Sequence, residues 1–278
     1  MGFIEIIKAI IYGIVEGITE WLPVSSTGHL ILLNDIMPMK VSPEFWSMFL
    51  VVIQLGAITA VVVYFWNKIW PFNTTVKDKP FIRYDVLNLW CKIIVACIPA
   101  AIVGILFDDW IDEHLYNSVV VAIMLIVVGV AFILIETKNK SFTPRATSLR
   151  QLTYKDALII GLFQLISAIL PGTSRSGSTI IGGLLIGVDR KTAAEFTFCM
   201  AVPVMAGASL LKILKLGSPL GFMEFIILMI GCVIAFLVSF VCIKFLMDYV
   251  KKHDFKVFGY YRIVLGIIVL LYFFILKK

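Results

Sequence analysis

Six runs of about twenty apolar residues, at roughly 45–66, 86–107, 115–135, 192–214, 224–247 and 259–276, dominate this chain. A run of that length, coiled as an α-helix, matches the hydrocarbon thickness of a bilayer. In hydrocarbon every backbone N–H and C=O must find a partner inside the protein, which leaves helices or closed barrels as the only spanning structures. The pattern therefore predicts an all-α polytopic membrane protein with six spanning helices, in a single membrane domain over residues 1–278. Composition agrees: 60% of the residues are apolar and 15% are charged, against about 45–50% and about 25% in a soluble domain. Disorder, collagen and coiled coil are excluded, and a soluble enzyme does not fit. The five cysteines all fall in apolar segments, without metal-ligand spacing, and read as small packing residues. The segment from Phe3 carries acidic residues and lacks a basic leader, so it does not read as a cleavable signal.

Two further apolar stretches, about 3–33 and 156–188, are interrupted in the middle by Pro, Gly, Ser and Thr. Broken backbone at membrane depth is tolerated only when buried in protein or lining a wet cavity. Both stretches are expected to be broken, re-entrant helical segments.

Loop charge orients the spans. Lys68, Lys77, Lys79 and Arg83 fall in one loop, Lys138, Lys140, Arg145, Arg150 and Lys155 in a second, and Lys251, Lys252 and Lys256 in a third. The loop at 108–114 instead holds Asp108, Asp109, Asp112 and Glu113 without Lys or Arg. The net charge of +6 thus fits basic cytoplasmic loops rather than nucleic-acid binding. Six crossings satisfy the alternation if each interrupted segment returns to its own side, the first opening outward and the second inward. Asp189, Arg190 and Lys191 read as an ordinary helix boundary, and Lys92, Lys212 and Lys244 as side chains that snorkel from helix ends.

The interrupted segments also resemble each other. Gly13 to His29 aligns without gaps on Gly161 to Gly177, matching Gly13 with Gly161, Glu16 with Gln164, Leu22-Pro23 with Leu170-Pro171 and Ser26 with Ser174. Downstream, Glu44-Phe45 and Gly56-Ala57 echo Glu195-Phe196 and Gly207-Ala208. With the opposite orientations deduced from charge, this predicts an inverted-topology repeat of about 1–135 and 150–278. Such folds place their site near the midplane, where the ends of broken helices meet.

Ionisable groups inside a membrane are functional candidates by default. Glu16 and Glu20, at i and i+4, share one helix face and call for a compensating cation, either a metal ion or an Arg from the other repeat. After them come Pro23, Ser25, Ser26, Thr27, Gly28 and His29. A hydroxyl beside an imidazole and carboxylates is the set needed for nucleophilic attack, although each hydroxyl can equally cap a helix. The second segment supplies Gly172, Thr173, Ser174, Arg175, Ser176, Gly177, Ser178 and Thr179. A guanidinium among hydroxyls at a helix N-terminus suits phosphate. This is not a P-loop, because the Lys-Ser/Thr ending is absent.

E-x-x-x-E at Glu16 to Glu20, P-V-S-S-T-G-H at Pro23 to His29 and P-G-x-S-R-S-G-x-T at Pro171 to Thr179 together resemble the undecaprenyl-diphosphate phosphatase family, also called bacitracin-resistance proteins. The resemblance covers essentially the whole chain. It implies a multi-pass enzyme of the bacterial inner membrane that removes the terminal phosphate of a C55 polyprenyl diphosphate. The product is the monophosphate carrier needed for peptidoglycan synthesis, and the activity confers bacitracin resistance. Ser26 would attack the phosphorus with His29 as general base, with His29 itself as the rival nucleophile. Glu16 and Glu20 would bind a divalent cation, Mg²⁺ or Ca²⁺, or position His29. Arg175, Ser174, Ser176, Thr179, Ser25, Thr27 and Gly172 would hold the diphosphate. The headgroup site is expected to be reached from the outer leaflet. Gln164 and Ala168 replace the glutamates in the second copy, so only the first should carry the catalytic set.

A lipid-phosphate transporter or flippase is the competing class, since inverted repeats with broken helices are its usual architecture. A carrier needs no nucleophile, and the Ser-His pair favours an enzyme. Small residues such as Gly207 and Ala208 suit helix packing within or between subunits and leave a homodimer open. The charge-derived topology makes a direct prediction: reporters fused at Lys77 will read out as cytoplasmic, and an external reading there would reverse the orientation.

Overall fold

Polar caps mark where several of the apolar runs become helix. The computed structural model describes residues 2–73, 80–139, 143–215 and 219–276, without the side chains of Asp108, Asp109, Asp112 and Leu276. Lys77, Lys79, Lys140 and the side chains of Asp108, Asp109 and Asp112 therefore lie outside the described residues; residues 108–114, expected as a loop, form the last turns of a helix, where Glu113 is exposed. Helices α1 (Phe3–Thr19) and α2 (Ser26–Ile36) form the first interrupted segment; α7 (Tyr154–Ile169) and α8 (Arg175–Leu185) form the second. The spanning helices are α3 (Pro43–Tyr64), α5 (Tyr84–His114), α6 (Ser118–Lys138), α9 (Arg190–Leu214), α10 (Phe222–Tyr249) and α11 (Lys256–Leu271); α4 (Trp66–Ile69) is one short turn. Among the described residues six helices are long and apolar enough to cross a membrane, matching the six expected runs. Their ends follow the caps. Ser42 accepts from Phe45 N–H ahead of Pro43, Asn117 from Val120 N–H, and Asp189 from Thr192 N–H. Thr153 and Asp156 cap each other's N–H groups at the start of α7.

Contacts at the helix ends separate two faces of the molecule. Arg150 pairs with Asp85, Lys68 with Glu195, and Arg145 with Asp156. Arg190 pairs with Glu136, which also accepts from Phe255 N–H. The Arg145 N–H donates to the Gly187 carbonyl, so both outer ends of the α7–α8 pair lie at this basic end. The α1–α2 pair closes on itself elsewhere, through Lys8 Nζ to the Pro38 carbonyl at 2.6 Å and Lys40 N–H to Glu5 at 3.1 Å. Tyr272, at the far end of α11, donates to Asp35 at the end of α2. The two broken pairs thus enter from opposite ends, as loop charge and segment pattern suggested.

The bland reading of Asp189-Arg190-Lys191 as a helix boundary is right for Asp189, which caps α9. Arg190, however, neutralises a fully buried Glu136. Lys92 does not snorkel: it is buried, its Nζ lying 5.9 Å over the Tyr154 ring. Cys91 is exposed, whereas Cys199 and Cys242 are buried as packing residues. Gly207 and Ala208 face outward, and a Cβ at Gly207 would meet nothing within 4 Å.

Packing is pairwise: α6 on α11, α1 and α3 on α10, α5 on α7, and α9 on α3. Two glycines set the closest approaches. A Cβ at Gly56 would lie 2.0 Å from the Cys232 carbonyl, and one at Gly161 would lie 2.3 Å from that of Ala96. Since neither obstacle is a movable side chain, the helices must separate to admit any larger residue. Gly56→Leu is expected to destabilise the protein by about 1–3 kcal/mol, seen as a drop in thermal midpoint in detergent. An unchanged midpoint would refute the close α3–α10 contact.

Candidate active site

Each broken pair turns on a serine in a conformation that L-residues avoid. Ser25 has φ 72° and Ser174 has φ 69°, a strain of about 1–3 kcal/mol each. Both serines are N-caps: Ser25 Oγ accepts from Gly28 N–H at 3.4 Å, and Ser174 Oγ from Gly177 N–H at 3.2 Å. The half-helices they start, α2 and α8, have 11 residues each. The geometric counterpart of Ser174 is therefore Ser25, and the gapless match of Ser26 with Ser174 is one residue out. The second segment carries one extra residue after its proline, and Gly172 absorbs it at φ +86° with no room for a Cβ against the Val121 carbonyl. On this register Ser26 and Arg175 occupy the same place, the first residue of a half-helix.

Those two residues converge on Glu20, the last helical residue after α1. Ser26 Oγ donates to Glu20 Oε2 at 2.8 Å, and Arg175 Nη2 donates to Glu20 Oε1 at 3.1 Å. Ser176 Oγ donates to the Glu20 backbone carbonyl at 3.1 Å. Arg175 also donates to the Thr197 carbonyl at 3.2 Å and lies 5.8 Å over the Trp21 ring. The cation expected opposite the carboxylates is thus the arginine of the other segment, at least for Glu20. Glu16 differs: it is fully buried, and neither carboxylate oxygen has a protein partner. Gln164, its aligned counterpart, also has unpartnered buried side-chain atoms.

The imidazole is not where a base for Ser26 would sit. His29 Nδ1 bonds the Ser25 carbonyl at 2.8 Å, and Nε2 bonds the Tyr261 hydroxyl at 2.7 Å. The Ser26 hydroxyl bonds Glu20 instead, so the structure holds no direct Ser26–His29 hydrogen bond. Several hydroxyls expected on the diphosphate are taken up in holding the fold. Thr179 donates to the Arg175 carbonyl and accepts from Thr197, and it is fully buried, as is Ser176 nearly so. Ser25 is buried as a cap, and Gly172 serves as the turn. Ser26, Thr27, His29, Ser174 and Arg175 remain partly exposed. A cleft of about 440 Å³ opens at the basic end, lined by Lys68, Arg83, Lys92, Arg150 and Glu195 among others, and contains none of these residues.

The residue that sequence reasoning missed is Arg262. It is fully buried in α11 and donates to the carbonyls of Pro23 (3.1 Å), Gly172 (2.9 Å), Thr173 (2.9 Å), Met124 (3.4 Å) and Leu125 (3.4 Å). One side chain therefore satisfies both proline turns and α6. Its only sequence signal was a charge inside an apolar run. Arg262→Met is expected to cost several kcal/mol, since each abandoned buried carbonyl costs about 1–3 kcal/mol. Arg262→Lys, which has no planar fork, should recover only part of the stability. Thermal unfolding in detergent measures both, and a wild-type midpoint for Arg262→Met would remove the clamp.

Comparison with known proteins identifies the family. The family profile described as "Bacitracin resistance protein BacA" matches residues 9–268. Among curated relatives, the undecaprenyl-diphosphatase of Enterococcus faecalis is 59% identical over 98% of this chain and 98% of its own length. Those of Desulfitobacterium hafniense and Acetivibrio thermocellus are each 56% identical, over 98% and 97% of this chain and 98% of their own lengths. A match that spans both half-helix turns and all six spanning helices leaves one conclusion: the chain belongs to the bacitracin resistance protein BacA family.

Proposed function

We propose that this chain is an integral membrane phosphatase that hydrolyses a C55 polyprenyl diphosphate to the monophosphate and inorganic phosphate, recycling the lipid carrier and conferring bacitracin resistance. The observation that carries the reading is the chain of bonds from Ser26 through Glu20 to Arg175. It joins a nucleophile, a carboxylate base and a cation at the N-termini of two half-helices. Helix N-termini with free N–H groups favour anions. The printed names of the relatives identify the same activity in those proteins.

In the resting state Arg175 is neutralised by Glu20. An arriving diphosphate competes for the guanidinium and leaves Glu20 as the acceptor for the Ser26 proton. Ser26 Oγ then forms a bond to the terminal phosphorus as the bond to the bridging oxygen breaks. Arg175 and the N-terminal amides offset the charge that grows on the departing lipid monophosphate. Water then attacks the phosphoserine and passes its proton to His29 Nε2, while Glu20 returns the proton it took to Ser26 Oγ as the O–P bond breaks; inorganic phosphate leaves, carrying off the His29 proton. A divalent cation fits the donor set, because Glu16 offers two buried carboxylate oxygens without protein partners and Glu20 stands one turn away. The donors are hard carboxylate oxygens, the kind that Mg²⁺ or Ca²⁺ prefers. Glu16 would be the cation's acidic ligand, since both Glu20 oxygens are engaged by Ser26 and Arg175. When bound, the cation would neutralise phosphate charge.

We place the basic end in the cytoplasm of a bacterial inner membrane, with the α1–α2 pair opening to the outer leaflet. His29, one turn from Ser26 towards the outer end of α2, lies on that side. Broken pairs entering from opposite ends also suit a transporter, and the Ser26–Glu20 bond is what favours hydrolysis over carriage. Phosphate release by purified protein in detergent separates the two, since transport needs a sealed membrane. Ser26→Ala is expected to lower kcat by about 10³-fold or more, and Arg175→Ala by about 10²–10³-fold. Activity retained in Ser26→Ala, or an acid-labile phosphoenzyme, would transfer the attack to His29.

A further inference from the structure

We propose that Tyr261 is a positioning residue of the phosphatase site, acting through His29. The inference rests on the proposed reading of the site and adds to it the group that sets the imidazole. The Ser25 carbonyl can only accept, so His29 Nδ1 must carry a proton in the 2.8 Å bond between them. In the neutral ring, Nε2 then holds the lone pair, and the Tyr261 hydroxyl donates to it at 2.7 Å. One tautomer and one ring orientation follow. The two rings also stack, with centroids 5.6 Å apart and planes 7° from parallel.

Tyr261 is well placed to be rigid without being buried. Its ring is 47% exposed, so core packing does not force the bond. Its backbone is held instead by the next residue, Arg262, which is anchored on five carbonyls of the two turns and α6. Adjacent residues of α11 therefore fix two different parts of the site. Arg262 sets where the half-helices begin, and Tyr261 sets the functional group one turn along α2. The strained Ser25 lies between them, accepting from His29 Nδ1–H at its carbonyl and from Gly28 N–H at its hydroxyl.

Tyr261→Phe keeps the stacked ring and removes only the hydroxyl. With C55 polyprenyl diphosphate in detergent, it is expected to lower kcat roughly tenfold, the loss of one oriented hydrogen bond, with KM changed less than about twofold. His29→Ala should lower kcat at least as far, and the double variant should be no slower than His29→Ala alone, because Tyr261 acts through that ring. The chain has three histidines, so ¹⁵N-histidine labelling gives a readout independent of turnover. The His29 Nε2 resonance should move in Tyr261→Phe, while those of His114 and His253 stay. Wild-type kcat with an unmoved resonance in Tyr261→Phe, or losses that add in the double variant, would overturn the proposal. Full activity in His29→Ala would remove His29 from the reaction, and Tyr261's role with it. Full activity in Tyr261→Phe beside a slow His29→Ala would overturn this proposal alone.

Discussion

A single buried guanidinium makes two broken helices tolerable at membrane depth. When a helix breaks in hydrocarbon, its last carbonyls lose their partners, and no water is at hand to replace them. Arg262 brings donors to Pro23 in the first turn and to Gly172 and Thr173 in the second. Its remaining bonds, to Met124 and Leu125, moor both turns to α6. Among the described residues it has no carboxylate partner, so its charge is balanced by carbonyl dipoles alone. This solves a problem that an ion pair would not. A carboxylate would neutralise the arginine and leave the turn carbonyls bare. Because the bonds reach both turns, the half-helices are fixed relative to each other as well as to the bundle.

Glu20 depends on that fixation. It is the meeting point of Ser26 from one half-helix and of Arg175 and Ser176 from the other. Hydrogen bonds near 3 Å require both half-helices to be held within a few tenths of an ångström. A shift in either turn separates Ser26 from Glu20 or Glu20 from Arg175. The site is thus assembled across the interface of the two segments and belongs to neither. Glu16, one turn earlier on α1, stands outside this set of bonds with both oxygens unpartnered.

What could be read in the sequence divides along the range of the interactions. The six spans, the two breaks, the Glu16–Glu20 pair and the importance of Arg175 rest on composition and on short spacings, which sequence displays directly. Arg262 did not stand out, because its partners are backbone carbonyls, which every residue possesses and no letter marks. Tyr261 was invisible for a related reason: its contact with His29 joins helices far apart in the chain. The pairing of Ser26 with His29 followed from their i, i+3 spacing, but the free Ser25 carbonyl drew the imidazole back along its own helix. Glu136 drew no notice just past the 115–135 run, yet it is buried and paired with Arg190. The register error had a local cause, since one extra residue after Pro171 is absorbed by Gly172 and leaves no trace in a gapless match.

The two strained serines show why the segments resemble each other yet do different work. Glycine would adopt the positive φ without strain but would lack the hydroxyl that caps Gly28 or Gly177. Serine accepts the strain and supplies the cap, and the same device recurs in both turns. Each half-helix therefore presents its positive N-terminal end at the break. The next residue then decides the role: a hydroxyl at Ser26 in one copy, a guanidinium at Arg175 in the other. Since both contact the same carboxylate, the asymmetry of a single position gives one repeated scaffold a neutral hydroxyl on one side of Glu20 and a fixed positive charge on the other.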